Sequence, residues 1–304
     1  MTDPLKGVLA MFVASVTWGL SGIYYKALDH IPASEILAHR TIWSFVFLGL
    51  VLAFQGRIRE TLRHLRHPRT LMLVVICSVL ISSNWGAFIF SIQRGWAMES
   101  SFGYYIFPLV AVALGFLFLR ERFTSLKWLA VGIATIAVVT LGVGLGNPPW
   151  MSLFLAFTFA FYGLIKSRLN MGSVQSVFAE VLMIQILAII WLTTDLSGSG
   201  GVFGSNWHDS LMLAFSGIIT GGPLILMSYA ARRISLTALG LVQYVNPTLQ
   251  FLVATFLFME PFTKWHAIAF PMIWIGLAIF SFESWRQERS SRIRVKSAGT
   301  SSTT

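Results

Sequence analysis

The chain has 304 residues, of which 56% are apolar and only 11% charged, with a mean hydropathy of +0.73. Soluble domains carry about 25% charged residues, so a water-soluble globule is excluded and the solvent must be lipid. A net charge of +10 would point to nucleic acid in a soluble protein; here membrane topology accounts for it, and no nucleic-acid partner is expected.

A bilayer core of about 30 Å needs roughly 20 apolar residues, and ten such runs follow one another along the chain. They cover about 5–27, 34–54, 70–92, 100–119, 126–145, 148–168, 175–194, 209–231, 237–258 and 266–285. Membrane strands would be about ten residues long with alternating polarity, so each run reads as a helix. The first is too long for a signal-peptide core and shows no small-residue cleavage site, so it reads as a retained helix. The single cysteine, Cys77, lies inside the third run and rules out an intrachain disulfide. Residues 288–304 read as a disordered basic tail, because "SAGTSSTT" at their end holds too little apolar surface to order.

Lysine and arginine set the orientation. With the N-terminus and the even-numbered connections inside, eighteen of the 22 basic residues are cytoplasmic, among them Lys6, the cluster Arg57–Arg69, Lys166, Arg168, Arg232, Arg233 and the tail. The exceptions are Lys26, Arg40, Arg94 and Lys264. The outer connections 146–150 and 193–209 contain none. Both termini are therefore expected in the cytoplasm.

Residues 93–124 align with 232–263 at an offset of 139 without a gap. Arg94, Tyr105, Pro108, Glu121, Phe123 and Thr124 coincide with Arg233, Tyr244, Pro247, Glu260, Phe262 and Thr263. The expected fold is therefore all-α integral membrane, with ten transmembrane helices as two five-helix repeats, residues 1–145 and 146–287. An odd helix count per repeat forces the halves to insert upside down relative to each other. Such inverted repeats share a site near mid-bilayer, an arrangement that serves a carrier and gives no specific advantage to an enzyme or a scaffold.

Three stretches carry a resemblance beyond general hydrophobicity: "EILAHRTIWS" (35–44), "NWGAFIFSIQRGWAMESSFGYYIFPL" (84–109) and "ARRISLTALGLVQYVNPTLQFLVATFLFMEPF" (231–262). They resemble the RarD-type permeases of the EamA family, in the drug/metabolite transporter superfamily, over nearly the whole chain. The resemblance implies an inner-membrane permease that exports amino acids, other metabolites or toxic compounds. Two places depart from the family pattern. Ser21 and Gly22 stand after "WGL" where a proline is usual, and Phe107 stands where an asparagine is usual, while Asn246 holds the symmetry-related place in the second half.

Polar residues inside apolar runs are the candidate site. Arg at mid-bilayer costs roughly 2.5–3.5 kcal/mol on insertion scales, so Arg40 either snorkels to the outer headgroups or faces a polar cavity, where it would hold a carboxylate. Glu35 and His39 share a helix face at i, i+4 and could exchange a proton, as could Glu180 in the seventh run; pairing with Lys166 or Arg168 is the structural alternative for Glu180. Asn84 and Trp85 lie mid-helix. Tyr104, Tyr105, Gln243, Tyr244 and Asn246 flank Pro108 and Pro247, which free the carbonyls of Tyr104 and Gln243. Trp18 sits midway along the first run and either lines the cavity or packs. Glu121 and Glu260 read as structural acids bound to helix N-termini or a nearby base, and Gly132, Gly142 and Gly276 as close-packing positions.

Enzyme signatures (H-E-x-x-H, G-x-S-x-G) and the P-loop are absent from the sequence, and His39 has no second histidine at ligand spacing. The expectation is thus a non-enzyme without metal or cofactor. A channel or a non-transporting membrane protein is the alternative to a carrier. The expected partners are a small-molecule substrate, lipid and a coupling proton, in a monomer or homodimer.

Overall fold

A computed structural model describes residues 3–119, 124–146, 148–194 and 201–300. Its helices are α1 (Asp3–Ala27), α2 (Ala33–Phe54), α3 (Ile58–His64), α4 (Pro68–Gln93), α5 (Ala97–Leu119) and α6 (Ser125–Leu145), then α7 (Trp150–Lys166), α8 (Ser173–Thr193), α9 (Trp207–Ala231), α10 (Leu236–Gln243), α11 (Val245–Leu252) and α12 (Lys264–Thr300). Among the described residues, eight helices are long and apolar enough to cross a membrane: α1, α2, α4, α5, α6, α8, α9 and α12.

The two remaining expected spans differ from the reading by length and period. α7 has 17 residues, about 25 Å at 1.5 Å per residue, short of the hydrocarbon core. The ninth run is not one helix. α10 stops at Gln243, four residues before Pro247, whose ring clashes with the carbonyl at that distance; α11 restarts at Val245, and a π-helical turn follows at Val253–Leu257. Pro108, its counterpart in the alignment, sits inside an unbroken α5. α1 likewise runs unbroken through Ser21, whose hydroxyl donates to the Trp18 carbonyl at 2.6 Å.

Helix ends follow local chemistry. Pro68 occupies the first turn of α4, where a missing N–H loses nothing. Asn206 caps α9 by accepting from His208 N, and Ser235 caps α10 by accepting from Ala238 N. Gly146 ends α6 at φ +72°, a left-handed backbone suited to glycine. α12 continues to Thr300, through the stretch expected to be a disordered tail. Its sequence after Ser284 holds no proline, and no glycine before Gly299, to stop the helix.

The helices pack chiefly as α5 on α7, α6 on α12, α2 on α9 and α8, α1 on α9 and α4 on α7. Small residues set the closest approaches, as expected where lipid removes the hydrophobic drive between helices. A Cβ on Gly217 of α9 would lie 2.3 Å from the Trp43 carbonyl oxygen of α2, and one on Gly103 of α5 would lie 2.7 Å from the Ser152 carbonyl oxygen of α7. Of the glycines expected at contacts, a Cβ on Gly276 would lie 3.2 Å from the Ala130 carbonyl oxygen, whereas one on Gly132 would meet nothing within 4 Å. The periphery carries exposed Val79, Leu117, Val143, Leu187 and Phe256, an apolar belt that only lipid can cover.

Candidate substrate cavity

A cavity of about 530 Å³ lies between α1, α2, α4, α5, α7, α8, α9, α10, α11 and α12, within the roughly 300–1,000 Å³ range of small-molecule sites. Its lining includes Arg40 and Thr220, and also Lys166, Ser173, Gly240 and Ser284. Of the residues singled out by sequence, Trp18, Arg40, Asn84, Trp85, Tyr104, Gln243, Tyr244 and Asn246 line it.

The Arg40 side chain is buried among its neighbouring helices, 6% exposed. Its guanidinium carbon lies 4.2 Å from the Trp85 ring centroid and 5.5 Å from that of Tyr25, and Nε donates to Thr220 Oγ1 at 2.9 Å. A desolvated cation–π contact contributes about 2 kcal/mol and a charge-assisted hydrogen bond about 1.5–3 kcal/mol. Together these offset the roughly 2.5–3.5 kcal/mol insertion cost without a carboxylate partner. The two terminal nitrogens have no acceptor among the described residues and remain for a ligand.

Asn84, in the second half of α4, is a clasp as well as a lining residue. Its amide nitrogen donates to the Leu155 carbonyl at 3.0 Å and to Thr158 Oγ1 at 2.9 Å, and its oxygen accepts from the Tyr104 hydroxyl at 3.0 Å. Both N–H groups are thereby used, and Tyr104 is held against the cavity. Asn246 accepts from Gln250 Nε2 at 2.8 Å through its oxygen. Phe107 and Asn246, the pair in which an amide changes halves, both line the cavity.

Four sequence-selected residues lie elsewhere. Tyr105 points about 100° round α5 from Tyr104; it is buried against Phe270 and Trp274, with its hydroxyl donating to Thr248 Oγ1 at 2.8 Å. Glu35 and His39 do share a face of α2, but that face meets the connection entering α9. Glu35 Oε1 accepts from Val202 N at 2.7 Å, and the His39 ring stacks on Phe203 with centroids 4.9 Å apart. Glu180, 0% exposed, accepts from Ser176 Oγ at 2.6 Å, Lys166 Nζ at 3.1 Å and the Tyr162 hydroxyl at 2.9 Å, while Lys166 also donates to Tyr162. The structural alternative, a pair with Lys166, is thus the observed geometry.

Thr220, Tyr25 and Gln250 line the cavity without having been singled out, as does Lys166, named only as a possible partner of Glu180. Gln250 had a signal, being polar in an apolar run one turn after Asn246; Thr220 had none.

Polar contacts also join the helices at the end of the bundle away from Lys166. Glu260 receives the N–H groups of Ala97 and Met98, both at 2.7 Å, and so caps α5 as expected. Gln93 Nε2 donates to the Ile31 carbonyl at 2.7 Å, and His30 Nε2 meets Asp209 Oδ2 at 3.0 Å. Glu121, the counterpart of Glu260, lies outside the described residues.

An all-helical bundle with an apolar belt and an aromatic cavity holding one stacked arginine defines a multi-pass membrane protein of the solute-permease class. A family model described as the EamA-like transporter family matches residues 5–143. The chain is 39% identical over 298 residues to "Protein RarD" of Streptomyces exfoliatus, covering 96% of this chain and 93% of that one. It is 38% identical over 292 residues to the uncharacterized transporter YojE of Bacillus subtilis (94% and 97%), and 35% identical over 291 residues to "Protein RarD" of Escherichia coli K12 (94% and 98%). A solved crystal structure shares the fold at TM-score 0.58 and 17% identity, over 90% of this chain and 96% of that one. The chain therefore belongs to the EamA-like transporter family, as a RarD-type permease and a multi-pass protein of the bacterial inner membrane.

Proposed function

We propose that the protein is a secondary carrier that exports small amphipathic metabolites by alternating access, its two halves rocking about the Arg40 cavity as inverted repeats. The observation that carries this reading is a buried guanidinium, held against the Trp85 and Tyr25 rings and at Nε, whose terminal nitrogens are left for a ligand at the junction of the two halves. The element bounds support the repeat. α2, α4, α5 and α6 start at 33, 68, 97 and 125, and α8, α9, α10 and α12 at 173, 207, 236 and 264, an offset of 139 or 140 throughout. The packing also exchanges between halves: α1 on α9 mirrors α7 on α4, and α1 on α10 and α11 mirrors α7 on α5. In this reading α7 and the broken α10–α11 complete ten spans, and the cavity opens to the cytoplasm while the outer end is sealed at Glu260 and Val202. Because Glu35 and His39 lie in that seal rather than in the cavity, proton coupling through them would act by loosening the seal, not by direct contact with substrate.

Topology is tested with reporter fusions. One after Arg66 or at Thr304 should report cytoplasm and one within 196–206 the outside; an inside signal from 196–206 would overturn the inverted arrangement. Transport is tested by efflux from proteoliposomes loaded with a mixed metabolite extract, with and without a pH gradient. Asn246→Ala should lower the efflux rate at least fivefold, about 1 kcal/mol, and adding Phe107→Asn should recover part of it by restoring an amide to the cavity wall. With both variants inserted equally, loss with no recovery would show that the two positions do not share one substrate cradle.

A further inference from the structure

The charge inventory of the cavity wall narrows the substrate further than its shape does. Among the described residues the wall carries two cations, Arg40 and Lys166, and no aspartate or glutamate. Lys166 is ion-paired with Glu180 at 3.1 Å, so its charge is cancelled by a fully buried partner. Among the described residues no carboxylate forms an ion pair with Arg40. Glu35, five residues earlier on α2, accepts from Val202 N on the side of the bundle away from the cavity. The wall therefore holds one uncancelled positive charge, set among aromatic rings and neutral amides.

The fork of that charge is fixed. Trp85 and Tyr25 cover the guanidinium and Thr220 takes Nε, so the edge formed by the terminal nitrogens is the part left for the cavity. A planar, immobilised fork matches a carboxylate bidentately. Trp18, Phe88, Tyr104, Phe107 and Phe159 line the same cavity and make its wall aromatic, suited to a flat apolar body. An ammonium group in the same chamber would find no acid. Aromatic faces can hold a cation, but Trp85 and Tyr25 already carry the guanidinium. The amides of Gln243, Asn246 and Gln250 can accept from a hydroxyl or an amide N–H, yet they supply no counter-charge, and an unpaired buried charge is strongly disfavoured.

Building on the carrier reading above, we infer that the cavity selects monoanionic aromatic acids, a carboxylate on a flat body without a free ammonium group, over amino acids of the same skeleton.

The test is calorimetric titration of the full chain in lipid nanodiscs, with empty nanodiscs subtracted, using four ligands of one skeleton: 3-phenylpropanoate, phenylalanine, phenethylamine and 3-phenylpropanamide. 3-Phenylpropanoate should bind at least tenfold more tightly than each of the others. Arg40→Gln should bring the acid and the amide to within about twofold of each other. Phenylalanine binding as tightly as the acid, absence of acid binding, or a preference that survives Arg40→Gln would each overturn the inference. The unsubstituted protein decides the first two points, so a variant that fails to insert does not spare the proposal. Counterflow in proteoliposomes separates the two readings: acid bound with the stated preference but not moved would overturn the carrier and leave the charge selectivity standing.

Discussion

Arg40→Lys should insert and fold normally yet move carboxylated substrates at least tenfold more slowly, a loss on the order of 1.4 kcal/mol. The lysine keeps the charge, so the wall remains cationic and the helix keeps its place. What it loses is geometry. An ammonium has no planar face to lay against Trp85 and no fork to grip both carboxylate oxygens, and it cannot donate to Thr220 and to a substrate from the two edges that Arg40 uses. The measurement is initial efflux in proteoliposomes, normalised to correctly inserted protein. If Arg40 only held α2 at the membrane edge, lysine would be tolerated with full transport. That result would remove Arg40 as an anchor.

The second large effect concerns assembly. Gly217→Ala should lower the stability of the bundle by about 3 kcal/mol, the upper end for overpacked positions. A Cβ there would stand 2.3 Å from the Trp43 carbonyl oxygen, 2.4 Å from its carbon and 2.9 Å from the Ser44 nitrogen. All three are backbone atoms, so no change of rotamer relieves the clash and α2 and α9 must part. Thr220 lies three residues along α9, and its bond to Arg40 crosses the same interface. Thermal unfolding in detergent, followed by size-exclusion yield, reads the effect, with Gly132→Ala as the control because nothing lies within 4 Å of it. Wild-type melting of Gly217→Ala would show that the two helices are not packed this closely.

Arg40 was legible in the sequence because its burial in lipid is expensive in any fold and so demanded a reason. Asn84 was legible on the same ground, although only the structure shows that its N–H groups are used up in joining α4 to α7. Tyr104 and Tyr105 were not separable, since adjacent residues on a helix differ by about 100° and only the neighbouring helices decide which of the two meets the cavity. Glu35 and His39 were correctly placed on one face, but the face turns toward Val202 and Phe203, which lie more than 160 residues away in sequence. Thr220 carried no signal, because a helical threonine bonds its own backbone, here the Ser216 carbonyl at 2.9 Å, whether or not an arginine is nearby.

By itself, the sequence determined the lipid environment, the spacing of the apolar runs, the asymmetry of basic residues between connections and the internal alignment at offset 139. These are one-dimensional properties: counts, lengths and repeats that survive without knowledge of neighbours. The tertiary structure decided the rotation of each helix about its axis, and with it which polar residues share the cavity, which close the far end, and that Pro247 divides its helix while Pro108 does not. The physical reason lies in the solvent. In water a helix shows a polar and an apolar face, and the pattern fixes its rotation. In lipid the outward face and the packed face are equally apolar, so the stripe that would orient the helix is erased and only contact between helices restores it.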